Sequence, residues 1–206
     1  GCNVISGLDS DGCVHFTKNE FDAGTPVSAM ALDFFRRIRL GFDDIEISKE
    51  EVNPVSMRSL PEEIRKLLPN EHKVVWSIHQ LVDDSGEPIG AKAFRFDSFE
   101  SDGTQKVFGI AGPIFDTLKR GATLVIDDLD AKFHPLISQE IVRLFTDPAV
   151  NKNHAQLLFT THDSLTSPLL RDDQMWFVKK DRRESTDLYR LTDVVLPDGS
   201  ALPANQ

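Results

Sequence analysis

The chain has 206 residues, 40% of them hydrophobic and 27% charged, with a formal net charge of −10. This describes a globular protein long enough for one sizeable core, and no run approaches the roughly 18–20 apolar residues of a membrane span. Two cysteines, Cys2 and Cys13, with no CxxC exclude a disulfide framework, and the acidic total argues against a broad nucleic-acid surface, which needs cations to neutralise phosphates.

The start, Gly1-Cys2-Asn3, has neither a basic segment nor a long apolar one, so it reads as no secretion signal, and a reducing cytoplasm is the expected setting. It also lacks an initiator Met, and we read it as the start of a piece, in mid-protein or after a tag. Residues 3–24 hold short apolar pieces broken by Gly, Asp and Asn, and read as loop with a strand pair at most. Thr25-Pro26 is an N-cap followed by proline at the first helical position, and the apolar spacing from Met30 to Leu40 predicts a helix stopped by Gly41. Ile45 and Ile47 alternate with acids and predict a short strand. Ser59 precedes a second predicted helix, Leu60–Leu68, with Pro61 in its first turn and Pro69 as its terminator. His72–Val82 and Ile89–Phe96 flank Asp83-Asp84-Ser85-Gly86-Glu87-Pro88 and predict a hairpin, with His72 and His79 on its surface.

Val107, Ile110, Ala111, Ile114, Phe115 and Leu118 fall at helical spacing between Ser101 and Gly121. Pro113 inside that pattern predicts a kink or a lost hydrogen bond one turn earlier. Next comes GATLVIDDLDAKFHP, in which Leu124, Val125 and Ile126 end abruptly in Asp127, Asp128 and Asp130. A short run apolar on both faces suits a central parallel strand, and acids at its C-terminal end sit where open α/β sheets bind ligands. His134-Pro135 opens a further helix that closes near Asp147-Pro148, and the strand Gln156–Thr160 runs into Thr161-His162-Asp163. Met175–Lys179 and Asp187–Leu191 predict a terminal strand pair, its Lys179-Lys180-Asp181-Arg182-Arg183 turn read as a solvated face. The tail 197–206 is polar and rich in Pro and Gly and reads as loosely ordered.

The order of these pieces carries a resemblance. ESDGTQK, LVIDDLDAKFHP, TTHD and DQMWFVKKD together resemble the C-terminal half of an ABC-type AAA ATPase domain of the abortive-infection and phage-defence class, RloA-like. The resemblance covers Ser98 to Thr192, a little under half the chain. It implies an α/β fold, a three-layer P-loop NTPase with central parallel strands over 98–196, preceded by an α+β region with a hairpin over 1–97. It also implies ATP and Mg²⁺ as cofactors. By matched motif, Asp127 resembles the Walker B acid associated with Mg²⁺, and Asp128 stands at the catalytic-acid position. Ser101, Asp102, Gly103 and Thr104 resemble the signature turn, which meets nucleotide held by an opposite protomer. Asp130 resembles the D-loop at a dimer interface, and His162 resembles the switch histidine at the γ-phosphate. The physics suits these roles. Mg²⁺ prefers hard oxygen ligands, a helix N-terminus offers unpaired N–H groups to phosphate, and imidazole donates or accepts near neutral pH.

Two departures stand out. No GxxxxGK[ST] occurs, so the phosphate cradle and its lysine are missing, and the expectation is an upstream Walker A half in the same protein, with this chain inactive alone. The catalytic-acid position, usually Glu, is Asp128. The leading expectation is an ATP-driven homodimer switch coupled to an effector nuclease or a nucleic-acid target, with no membrane involvement. The alternative is a non-hydrolysing interaction module that keeps the fold.

Overall fold

The structure, a computed structural model, describes residues 2–5, 10–51 and 71–194. Strand β1 (Cys2–Ile5) is followed by helices α1 (Ser10–Asp22) and α2 (Pro26–Arg37). Strands β2 (Asp44–Glu51), β3 (Glu71–Val82) and β4 (Pro88–Arg95) come next. A single turn, α3 (Phe96–Phe99), leads into the long α4 (Asp102–Arg120) and then β5 (Thr123–Ile126). After β5 come the one-turn α5 (Leu129–Lys132), α6 (Pro135–Thr146) and β6 (Gln156–Phe159). A ribbon of β7 (Trp176–Lys180) and β8 (Thr186–Arg190) follows. The predicted helix 60–68 and the tail 197–206 lie outside the described residues.

The architecture is mixed α/β, as expected, with a parallel sheet and an antiparallel hairpin. The parallel sheet has the order β1-β5-β6, so the strand leading to the acids is its centre. Its register pairs Thr123 with Gln156 and Ile126 with Phe159, so β5 and β6 end side by side. Strands β2, β3 and β4 form a separate antiparallel sheet, and among the described residues β7 pairs only with β8. One hydrophobic cluster links the two sheets' helices. Phe35 of α2 lies 6.2 Å from Phe108 of α4, and Phe34 lies 5.7 Å from Phe115.

The start of the chain corrects the sequence reading. Residues 10–22 are a helix rather than loop, because their inner face is built for a close approach rather than for apolar periodicity. Thr17, fully buried, donates its hydroxyl to the Gly109 carbonyl at 2.7 Å and accepts the Gly112 N–H at 3.0 Å. A Cβ added at Gly109 would lie 2.8 Å from Val14 Cγ2, and one at Gly112 would lie 2.9 Å from Phe16 Cδ1. Both are closer than real side chains come, so these glycines let α1 and α4 touch. The same contact answers Pro113. Proline has no N–H for the carbonyl of residue 109, and the Thr17 hydroxyl supplies that bond from the neighbouring helix. Helix α4 therefore runs on to Arg120, where Gly121 caps it in the left-handed region at φ +63°.

Helix α2 starts at the predicted cap, with the Thr25 hydroxyl accepting the Val27 N–H at 3.2 Å. It ends at Arg37 rather than near Gly41, because Arg39 turns left-handed at φ +54°. His79 is not a free surface residue either. It is half-buried, with Nε2 2.9 Å from Glu100 Oε1 and ring edges against Phe94 and Phe99 at 5.2 Å each. No helix among the described residues is long and apolar enough to cross a membrane.

Candidate functional site

The side-by-side ends of β5 and β6 bring the two chemistry-bearing segments together. Past the strands the ladder continues, with Thr160 N–H donating to Ile126 O at 3.1 Å and Leu129 N–H to Thr160 O at 3.0 Å. Thr160 also binds through its side chain. Its hydroxyl donates to Asp127 Oδ1 at 2.6 Å and accepts the backbone N–H of Asp128 at 2.8 Å. Asp127 and Asp128 are both exposed. Asp128 sits in the left-handed region at φ +52°, ψ +59°, the corner from which α5 starts. Non-glycine residues are uncommon there, and Asp and Asn are the ones that tolerate it.

Asp130, one turn on, reaches the same β6 extension. Its Oδ1 accepts the His162 backbone N–H at 3.0 Å. Burial works against ionisation of this carboxyl and is outweighed by the His162 N–H and the Thr161 hydroxyl, so its pKa falls below the usual 3.8. Asp163 caps the 3-10 turn that follows, accepting the Leu165 N–H at 2.8 Å, and so fixes the loop that carries the exposed His162. Asp127, Asp128, Asp130 and His162 thus share one edge of one sheet.

The Ser101 turn is elsewhere. Ser101 is the N-cap of α4, its hydroxyl accepting the Thr104 N–H at 3.2 Å. Helix α4 has 19 residues, about 28 Å at 1.5 Å per residue, and only its far end adjoins β5. The turn opens α4, whose opposite end at Arg120 leads into β5. Ser101, Asp102 and Gly103 are exposed and Thr104 is buried. Among the described residues a Cβ at Gly103 would meet only Ser101 Oγ, at 3.7 Å, so none of them needs glycine there. Glu100, just before the turn, is held by His79, and Gln105 Nε2 donates to Glu100 O at 2.9 Å.

Sequence reading missed Thr160 and the His79–Glu100 pair. A Thr directly after a strand whose neighbour ends in acids is a local signal for the first. For the second there was none, since residues 79 and 100 meet only through the hairpin.

The family comparison matches residues 14–167, about three-quarters of the chain, to the family described as "AAA domain, putative AbiEii toxin, Type IV TA system". The chain belongs to that family. Among solved structures, this AAA-domain chain is similar to one from work on ATP-driven dimerization and DNA-stimulated activation of SMC ATPases, at 16% identity and a TM-score of 0.39. That likeness covers 66% of this chain and 88% of the other. A score that low bears on neither fold detail nor function. No curated protein matches the chain significantly.

AAA domains use ATP with Mg²⁺, and the residues present fit that pair in part. The Asp127 carboxylate, with Oδ1 engaged by Thr160, is a hard oxygen donor suited to Mg²⁺. Among the described residues no three His, Cys, Asp or Glu side chains converge to hold a metal by themselves. The sequence holds no phosphate-loop lysine. The fit is partial, with a carboxylate suited to the metal at the strand end and no Walker A loop in the sequence.

Proposed function

We propose that this chain forms the Walker B side of an ABC-type ATPase of the defence-associated class, completed by a Walker A half upstream in the same protein. The observation that carries this reading is the Thr160-centred junction of β5 and β6, which gathers Asp127, Asp128, Asp130 and His162 at one sheet edge. On this reading Asp127 offers a carboxylate oxygen to Mg²⁺, and Asp128 accepts a proton from the attacking water. His162 presents its exposed imidazole to the γ-phosphate. Bound Mg²⁺ would supply charge neutralisation on the phosphates. The Ser101–Thr104 turn, exposed at Ser101, Asp102 and Gly103 and at the opposite end of α4 from β5, suits nucleotide held by a second protomer, with Asp130 near the shared face. That arrangement makes a homodimer that closes on ATP, in the three-layer P-loop fold, with residues 1–97 preceding the turn and 98–196 carrying the motifs. A nuclease effector or nucleic-acid target is the expected output.

Uncovered apolar surface supports the upstream half. Among the described strands β6 is a sheet edge, with Leu158 63% exposed, and a groove of about 410 Å³ runs along it between Phe145, Leu157 and Leu170. Both faces of the β7–β8 ribbon are exposed, including Trp176, Phe177 and Tyr189. A parallel sheet is stable only when covered, and a lone two-stranded ribbon is marginal.

The test is made on the full-length protein, by phosphate release and size exclusion with Mg-ATP. The parent should hydrolyse ATP and dimerise with it, and Asp127→Ala should lose hydrolysis. Hydrolysis that survives Asp127→Ala unchanged, or an upstream sequence with no phosphate-loop lysine, would overturn the assignment.

A further inference from the structure

We infer that Thr160 is a positioning residue that sets both acids of the site through one hydroxyl. The inference rests on the reading just given. Its basis is a relay of two hydrogen bonds, from Asp128 N–H to Thr160 Oγ1 at 2.8 Å and from Thr160 Oγ1 to Asp127 Oδ1 at 2.6 Å. A hydroxyl carries one proton and two lone pairs, and here each partner takes a defined share. The proton goes to Asp127, and a lone pair takes the Asp128 amide.

Each half of the relay has a consequence. Donating to Oδ1 leaves Asp127 Oδ2 as the oxygen without that bond, so the carboxylate turns one defined atom outward. Charge-assisted O–H···O⁻ bonds are among the shorter and stronger kinds, at about 2.5–2.7 Å. Accepting from the Asp128 amide pins residue 128 in its left-handed corner, which fixes where its carboxylate points. Backbone bonds alone do not do this. Leu129 N–H and Thr160 N–H bond the facing carbonyls and hold the two segments together whatever side chain stands at 160. The Thr160 side chain is itself exposed, so it adds little to the core. Its contribution is orientation at the reacting edge.

Valine at 160 keeps the shape and removes the hydroxyl, serine keeps the hydroxyl and removes the methyl, and alanine removes both. The first readout needs no nucleotide. Amide hydrogen exchange by NMR should show the Asp128 N–H exchanging at least tenfold faster in Thr160→Val and Thr160→Ala than in the parent. Thr160→Ser should be restored, and the Leu129 N–H should stay protected in all of them.

The second readout is steady-state phosphate release by the full-length protein. Misplacing a reacting group by about an ångström can lower the rate on the order of a hundredfold. We therefore expect kcat to fall between about tenfold and a hundredfold in Thr160→Val, with KM for ATP within about twofold and serine rescuing the rate. If valine at 160 prevents folding, the serine–alanine comparison reads the hydroxyl with the methyl absent from both. Equal Asp128 exchange in alanine and serine variants, or a valine variant as fast as the parent, would sink the inference. A parent without any ATPase activity but with the exchange pattern intact would instead count against the ATPase reading alone.

Discussion

The contact between α1 and α4 allows a quantitative test of how the fold tolerates Pro113. Thr17→Val keeps the side-chain shape and removes the hydroxyl that serves Gly109 O and Gly112 N–H. The Gly109 carbonyl then has no intrahelical donor, because residue 113 is proline, and water is excluded, because Thr17 is fully buried. An orphaned buried acceptor costs about 1–3 kcal/mol and a net hydrogen bond about 1 kcal/mol. The combined loss should be about 2–3 kcal/mol, a shift of roughly 4–12 °C in Tm for a chain of this size. Urea unfolding of parent, Thr17→Val, Pro113→Ala and the double variant measures it. Alanine at 113 returns an N–H to Gly109 O, so in that background the Thr17→Val penalty should drop by about 1 kcal/mol or more. A Thr17→Val penalty below about 0.5 kcal/mol, or one identical in both backgrounds, would refute the account of how α4 passes Pro113.

Two further outcomes follow from single groups. The Lys73 hydrogen bond, at 2.7 Å, holds the Asp22 carboxyl below its ordinary 3.8 against the effect of burial, with Lys49 adding to the same direction. A lowered carboxylate contributes stability that is present above 3.8 and lost as pH falls through its lowered value. The stability gap between parent and Asp22→Asn in urea should therefore be open at about pH 5 and close below the usual carboxylate range. On the proposed function, Asp128→Asn in the full-length protein should hold ATP-bound dimers that fail to release phosphate, whereas Asp128→Glu should keep or raise turnover.

What the sequence made legible was the part held by local rules. Thr25-Pro26, Ser101, Gly121 and His134-Pro135 are caps whose side chains or backbone angles act within a few residues. They bounded α2 at its start, α4 at both ends and α6 at its start. The strand–acid junctions were legible because a run apolar on both faces has few other uses. Helix α1 was not. Its burial rests on Thr17 and on glycines 92 and 95 residues away, so the apolar period that announces a helix is diluted by a polar contact. The His79–Glu100 pair was hidden for the same reason, since strand pairing and a helix cap must both form before the two side chains meet. Thr160 stood in plain view, but its role depends on which strand lies beside β6.

On the proposed function, Asp at position 128 is the departure that most affects the chemistry, and its backbone gives it a physical reason. The residue sits at φ +52° with its N–H already given to Thr160. Left-handed backbone costs an ordinary L residue roughly 1–2 kcal/mol, and Asp and Asn less because their short polar groups bond locally. Glu at 128 would therefore lower stability by about 1 kcal/mol, while Asn would cost the backbone almost nothing. Against that stands reach. The extra methylene moves the carboxylate outward by roughly an ångström, and misplacement of that size is worth on the order of a hundredfold in rate, or about 2.7 kcal/mol of barrier at 1.36 kcal/mol per tenfold. The catalytic term is the larger, and the backbone penalty falls on free and reacting protein alike. Asp128→Glu should thus unfold at slightly lower urea concentration yet turn over no more slowly. A variant that is both less stable and at least tenfold slower would show that the left-handed corner, and not reach, sets the rate, and that Asp128 belongs to the turn rather than to the chemistry.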